Sequence, residues 1–69
     1  MTASKNTIGQ RIKNARIHRN LSQAELAKRC DMAQAEISRA ENGKGRLLVA
    51  TVERIANGLG VKTVYFFRT

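Results

Sequence analysis

Sixty-nine residues make a chain of 7.7 kDa in which 13 Lys and Arg face five Asp and Glu, for a formal net charge of +8 and a sequence pI near 10.9. That length excludes a two-domain enzyme or a large barrel, and the single cysteine excludes a disulfide framework or a cysteine-rich metal site. The charge favours a polyanionic partner, nucleic acid ahead of an anionic membrane surface.

No apolar run approaches the ~18 residues that span a bilayer, and Met1 to Gln10 lack the apolar stretch of a secretory signal, so the expectation is a soluble cytoplasmic protein. Proline is absent, there are five glycines, and one Tyr and two Phe are the only aromatic residues, which fits an all-α class built from short helices. Met1 to Asn6 has no periodicity and is expected to form a disordered arm from which Lys5 could reach a phosphate, leaving residues 7–69 as one domain.

The first helix is expected to open at Thr7, whose hydroxyl can cap it while Gln10 reaches back; Ile8, Ile12 and Ala15 then share a face, and Asn20 can end the helix in a left-handed conformation. Leu21, Ser22, Glu25 and Leu26 form the strongest local pattern in the chain, a hydrophobic staple with a Ser-x-x-Glu capping box, and predict a second helix from about Gln23 to Arg29. Cys30-Asp31-Met32 has room only for a tight turn. Ala33, Ile37 and Ala40 are expected to form the inward stripe of a third helix that stops at Asn42-Gly43. After a basic loop, Val52, Ile55, Ala56 and Leu59 repeat at i, i+3, i+4 and i+7, a fourth helix with Gly60 as its stop. Val61 to Phe67 suits a strand by propensity and a last helical turn by length.

Two short helices meeting at a three-residue turn, on a strongly basic chain, form an arrangement that can place the second helix in the major groove of DNA. The segments Leu21-Ser22-Gln23-Ala24-Glu25-Leu26-Ala27, Ile37-Ser38-Arg39-Ala40-Glu41-Asn42-Gly43, Ile55-Ala56 and Leu59-Gly60-Val61 closely resemble the phage repressor and Cro type of helix-turn-helix protein, over about Ile8 to Phe67. The resemblance implies a five-helix, lambda-repressor-like fold that binds an operator as a dimer. It further implies buried roles for Leu26, Ala27, Cys30, Met32, Ile37 and Ala40, a phosphate contact at Gln23, base reading by Gln34, Ala35 and Arg39, and an internal ion pair between Arg16 and Glu41. Two positions depart from the family pattern: the turn glycine is Asp31, and Ala33 stands where a Ser or Thr cap is usual.

Helical geometry supports the same face, because around Ile37 the side chains of Ala35, Ser38, Arg39 and Asn42 point away from the core. Arg pairs with guanine O6 and N7, Gln with adenine, and an Ala methyl packs on a thymine methyl, so Ser38 joins the base-reading set. Asn42, with Lys44 and Arg46 of the glycine-flanked loop that follows, is expected on phosphates. Solvated helix and loop residues are the bland alternative for all of these.

Cys30 lies on an inward helix face without a His or Asn companion and reads as a core residue, and the lone His18 reads as a solvated bystander. Glu25, Glu36 and Glu53 are accounted for by capping, a helix start and a helix surface, so no pair of carboxylates is left for acid–base chemistry. Gly43-Lys44-Gly45 lacks the spacing of a nucleotide-binding loop. No catalysis, cofactor, metal or small-molecule effector is expected.

Val64, Tyr65, Phe66 and Phe67 are consecutive, and neither helix nor strand can turn all four toward one small core, so this tail is expected to form a homodimer seam. The function expected from the sequence is therefore a transcriptional regulator that binds double-stranded DNA, at a palindromic operator, as a homodimer. The alternative is the antitoxin of a toxin–antitoxin pair, whose apolar tail binds a toxin protein and which autoregulates its operon.

Overall fold

The computed structural model describes residues 7–45 and 47–67. The expected arm of residues 1–6 and the phosphate role of Arg46 lie outside them. Five helices follow one another: α1 (Ile8–His18), α2 (Gln23–Cys30), α3 (Gln34–Asn42), α4 (Val49–Leu59) and α5 (Val64–Phe67). There is no strand among the described residues.

Local chemistry sets most of the boundaries. Thr7 Oγ1 accepts from the Gln10 amide at 3.1 Å and caps α1. The Gln10 side chain, expected to reach back, instead donates forward to Asn14 Oδ1 at 3.3 Å. Asn20 takes a φ of 58° beyond the end of α1, and this lets the Leu21 amide return to the Arg16 carbonyl at 3.2 Å. At α2 both halves of the capping box form, with the Glu25 amide donating to Ser22 Oγ at 3.0 Å and the Ser22 amide to Glu25 Oε1 at 2.7 Å. Those bonds hold the Glu25 carboxyl below its usual range.

The inward stripe expected in the third helix needs one correction. Ala33 is exposed and lies outside the helix as the N-cap of α3, since its backbone is extended at ψ 147°. Having no hydroxyl, it leaves the helix start half-capped: only the Ala33 amide is served, by Glu36 Oε1 at 2.9 Å.

The core gathers Ile12 and Ala15 of α1, Leu26, Ala27 and Cys30 of α2, Ile37 and Ala40 of α3, and Val52, Ile55, Ala56 and Leu59 of α4. Phe66 of α5 closes it at 1% exposure. Met32, expected as a buried motif position, is half-buried against this cluster. Each large aliphatic or aromatic side chain taken out of water here is worth ~1.5–3 kcal/mol, and that sum offsets the entropy cost of ordering so short a chain.

The tail resolves as a helical turn, with the Tyr65 and Phe66 amides donating to the Lys62 and Thr63 carbonyls, both at 3.0 Å. Helical rotation separates its four bulky residues, so that Phe66 enters the core while Val64, Tyr65 and Phe67 are exposed at 60%, 48% and 42%. Phe66 thus departs from the seam expected of all four. Arg11 Nη1 donates to the Phe66 carbonyl at 3.4 Å and ties α5 to α1. Among the described residues no helix is long and apolar enough to cross a membrane.

Candidate nucleic-acid interface

The turn between α2 and α3 is built around Asp31. Its backbone sits in the left-handed region at φ 57° and ψ 48°, which lets the Met32 amide fold back onto the Ala27 carbonyl at 2.9 Å. A residue with a Cβ is strained there, less so for Asp than for most. Two helices of eight and nine residues are thereby set across one another, with Ala27, 3% exposed, at the buried contact.

On the outward side of α3, Gln34, Ala35 and Arg39 are exposed, and Ser38 is half-buried. Asn42 Nδ2 donates to Ser38 Oγ at 3.3 Å, so these two side chains form one polar step along the helix. Asn42 and Lys44 are both exposed where α3 gives way to the loop. Gly43 and Gly45 take φ of 68° and 75°, conformations that only glycine adopts freely. The loop amides are less available than its composition suggests, because the Lys44 amide donates to the Arg39 carbonyl at 3.0 Å and the Gly43 amide to the Ala40 carbonyl at 3.4 Å. A cleft separates α3 from the start of α4, with Met32, Ala40 and Leu47 along its floor and Glu36, Arg39 and Lys44 at its rim.

Behind this face lies a buried polar node. Arg16 and Glu41 meet with Nε donating to Oε2 at 2.6 Å and Nη2 to Oε1 at 3.1 Å. Their side chains are 12% and 1% exposed. Arg16 Nη1 also donates to the Leu21 carbonyl at 2.8 Å, and Gln23 Nε2 donates to Glu41 Oε1 at 3.1 Å. Among the described residues no buried side-chain polar atom lacks a partner. A node satisfied in this way fixes helix geometry, and deleting one member of such a pair costs ~3–5 kcal/mol because the other charge stays buried. Arg16 does not snorkel to water.

Gln23 was expected on a phosphate, and the structure engages its amide with Glu41. Sequence reasoning did not foresee that link, since spacing along the chain carries no signal for a pair 18 residues apart. Gly9 was also missed. A Cβ there would lie 2.8 Å from the Glu41 carbonyl oxygen and closer still to that of Ala40, so glycine is what lets α1 approach the C-terminal half of α3. A glycine inside a helical pattern is itself a cue for such close approach.

Cys30 is buried, and burial pushes its thiol above the usual range. It packs against Gly58 of α4 and takes no part in the exposed face.

A fold of this kind, two helices about a tight turn with the second presenting its outer face, defines a helix-turn-helix domain. The helix-turn-helix family model HTH_3 matches residues 12–66, and the chain belongs to that family. It is 32% identical over 56 residues to the immunity repressor protein of Bacillus phage phi105, a match that takes in 81% of this chain and 39% of that protein. The chain thus spans well under half of that repressor's length.

Among solved structures, it superposes on an HTH_3 family transcriptional regulator from Vibrio cholerae with a TM-score of 0.83 at 32% identity, covering 91% of this chain and 35% of the other. The restriction–modification controller protein C.Esp1396I matches with a TM-score of 0.82 at 27% identity, over 97% of this chain and 87% of that one. The same controller bound to a 19 base pair DNA duplex matches with a TM-score of 0.82 and 27% identity, over 96% and 88% of the two chains.

Proposed function

We propose that this protein is a cytoplasmic transcriptional regulator that occupies a palindromic operator as a homodimer, with α3 as its recognition helix. The observation that carries the reading is the exposed row of Gln34, Ala35 and Arg39 on α3, held beside the start of α2 by the buried carboxylate of Glu41. Gln34, Ala35, Ser38 and Arg39 read base edges in the major groove. Gln23, Asn42, Lys44 and Arg46 hold phosphates and set the register. Residues 7–69 act as one DNA-binding unit, and the net charge of +8 draws it to the duplex.

The likeness to a controller solved on a DNA duplex supports the DNA-binding part of this reading. Exposed Val64, Tyr65 and Phe67 supply the two-fold seam, which sets two recognition helices about 34 Å apart, one turn of DNA. Selection of bound sequences from random duplexes tests the proposal. The expected product is a palindromic consensus with half-sites about one turn apart, and recovery of no enriched sequence would overturn it.

A further inference from the structure

Two asparagines of the chain are followed by glycine, in the pairs Asn42-Gly43 and Asn57-Gly58. Such a pair can react with itself in water, because the glycine has no Cβ to hinder attack by its amide nitrogen on the asparagine side chain. The attack requires the backbone between the two residues to leave its helical shape, so tertiary packing decides which pair is competent.

Both asparagines are exposed, but their glycines differ. Gly58 lies inside α4, set so closely on Cys30 that a Cβ would collide with the sulfur, and the residue after it, Leu59, is fully buried. Turning the peptide between Asn57 and Gly58 would pull Leu59 out of the core. Gly43 is the left-handed residue just past the end of α3, and no atom beyond its chain neighbours lies within 4 Å of where a Cβ would stand. Lys44 and Gly45 after it are exposed as well. The Gly43 amide donates to the Ala40 carbonyl at a long 3.4 Å, and Asn42 Nδ2 to Ser38 Oγ at 3.3 Å. A helix end restrained in this way opens more readily than a packed helix interior.

We propose that Asn42-Gly43 is a self-modifying site that retires the protein from DNA: Asn42 converts to an acid in the free protein and is spared while its amide is held on a phosphate. The link to DNA rests on the function proposed above. In the reaction the Gly43 amide gives its proton to water and its nitrogen attacks Asn42 Cγ. The bond from Cγ to Nδ2 breaks, Nδ2 leaves as ammonia, and a cyclic imide remains. Water then opens the imide at either carbonyl, giving aspartate or its iso form, in which the main chain runs through Cγ. Water is consumed and ammonia released, with no oxidation and no cofactor.

The product places an acceptor-only anion where a phosphate needs a donor. Its charge also sits at the C-terminal end of α3, the negative pole of the helix dipole, and disfavours that helix end. The iso form further lengthens the backbone ahead of Lys44. Each change loosens the phosphate contacts beside the recognition helix.

The experiment incubates the wild-type chain in neutral buffer, alone, with the duplex consensus recovered by selection, and in denaturant, and follows both pairs by peptide mapping. In the folded protein Asn42 is expected to convert several-fold faster than Asn57. The rates should converge in denaturant, and the duplex should slow Asn42 toward the pace of Asn57. Asn42→Asp, the product made directly, is expected to bind the consensus about tenfold more weakly, the scale of one hydrogen bond to a charged group. Should that variant melt early, aged wild type decides, since its affinity is expected to fall in step with the converted fraction. A folded Asn42 that converts no faster than Asn57 overturns the proposal. So does conversion indifferent to the duplex, or aged protein that binds as well as fresh. Fresh wild type that prefers no duplex overturns the DNA-binding reading instead, and the comparison of Asn42 with Asn57 in the free protein still decides the site.

Discussion

Arg54 of α4 donates from Nη2 to the carbonyl oxygen of Asp31 at 3.1 Å, so the fourth helix grips the helix-turn-helix turn at the residue whose backbone is left-handed, φ 57°. Asp31→Gly keeps that carbonyl and removes the Cβ strain, against a somewhat larger entropy loss on folding. A net gain of about 0.5–1 kcal/mol is expected, which raises the melting temperature by several degrees in a domain of this size. A melting temperature that stays level or falls would show that the turn holds no strain worth relieving. Arg54→Ala should lower it modestly, by the ~1 kcal/mol of one hydrogen bond.

Gly9→Ala is expected to be far more damaging than its size suggests. The added methyl meets the Ala40 and Glu41 carbonyl oxygens, which are backbone atoms that cannot step aside. Helix α1 must back away from α3 and stretch the Arg16–Glu41 bonds, at a cost of about 2–3 kcal/mol in urea unfolding. Gly58→Ala makes the contrasting case, since its methyl meets the Cys30 sulfur. Pairing it with Cys30→Ala should restore part of the loss, whereas Cys30→Ala should do nothing for Gly9→Ala.

Arg39→Ala and Lys44→Ala separate reading from holding. Arg39→Ala should cost about 1–3 kcal/mol on the selected operator and relax selectivity at one base pair per half-site. Lys44→Ala should weaken all duplexes alike and flatten the salt dependence, because each phosphate contacted contributes about −0.9 to the slope of log K against log salt. Equal behaviour of the two variants on operator and random DNA would remove Arg39 from the base-reading set.

The tail offers a test with opposite outcomes at adjacent positions. Phe66→Ala opens a cavity in the core and should cost about 3–5 kcal/mol, most of the stability of so small a domain. Phe67→Glu and Val64→Glu alter exposed positions and should leave a folded monomer that binds operator weakly. Sedimentation equilibrium with circular dichroism reads both. Variants that remain dimers would take the seam away from this tail, and a second protein co-purifying in place of a second copy would turn attention to the antitoxin alternative.

Cys30 should be inert in the folded protein. Burial disfavours its thiolate, so a thiol reagent at neutral pH is expected to react at a rate set by unfolding and to reach full speed in denaturant. Raising the pH within the range where the fold survives should accelerate labelling less than for a free thiol. Prompt labelling of the native chain would contradict the burial described for it.

Much of this architecture was legible because its determinants are local. The Ser22–Glu25 box, the left-handed stops at Asn20, Gly43 and Gly60, and the apolar repeat Val52, Ile55, Ala56, Leu59 each act within one or two helical turns, so their spacing along the chain is also their spacing in space. Resemblance to the repressor and Cro type added the pairing of Arg16 with Glu41, two residues too far apart in the chain for local spacing to link. What only the tertiary structure decided was anything set by the meeting of distant segments. Propensity favoured a strand for Val64 to Phe67, and a helical turn prevails because rotation about its axis delivers Phe66 to the core and its carbonyl to Arg11, 55 residues earlier. Ala33 proved to be the N-cap of α3, outside the helix, because its backbone there is extended. Gln23 acquired its inward partner, and Gly9 its necessity, from the approach of α1 and α2 to the far end of α3. Local hydrogen bonding writes itself into sequence spacing, whereas the contact of one helix with another depends on three-dimensional packing that no single segment encodes.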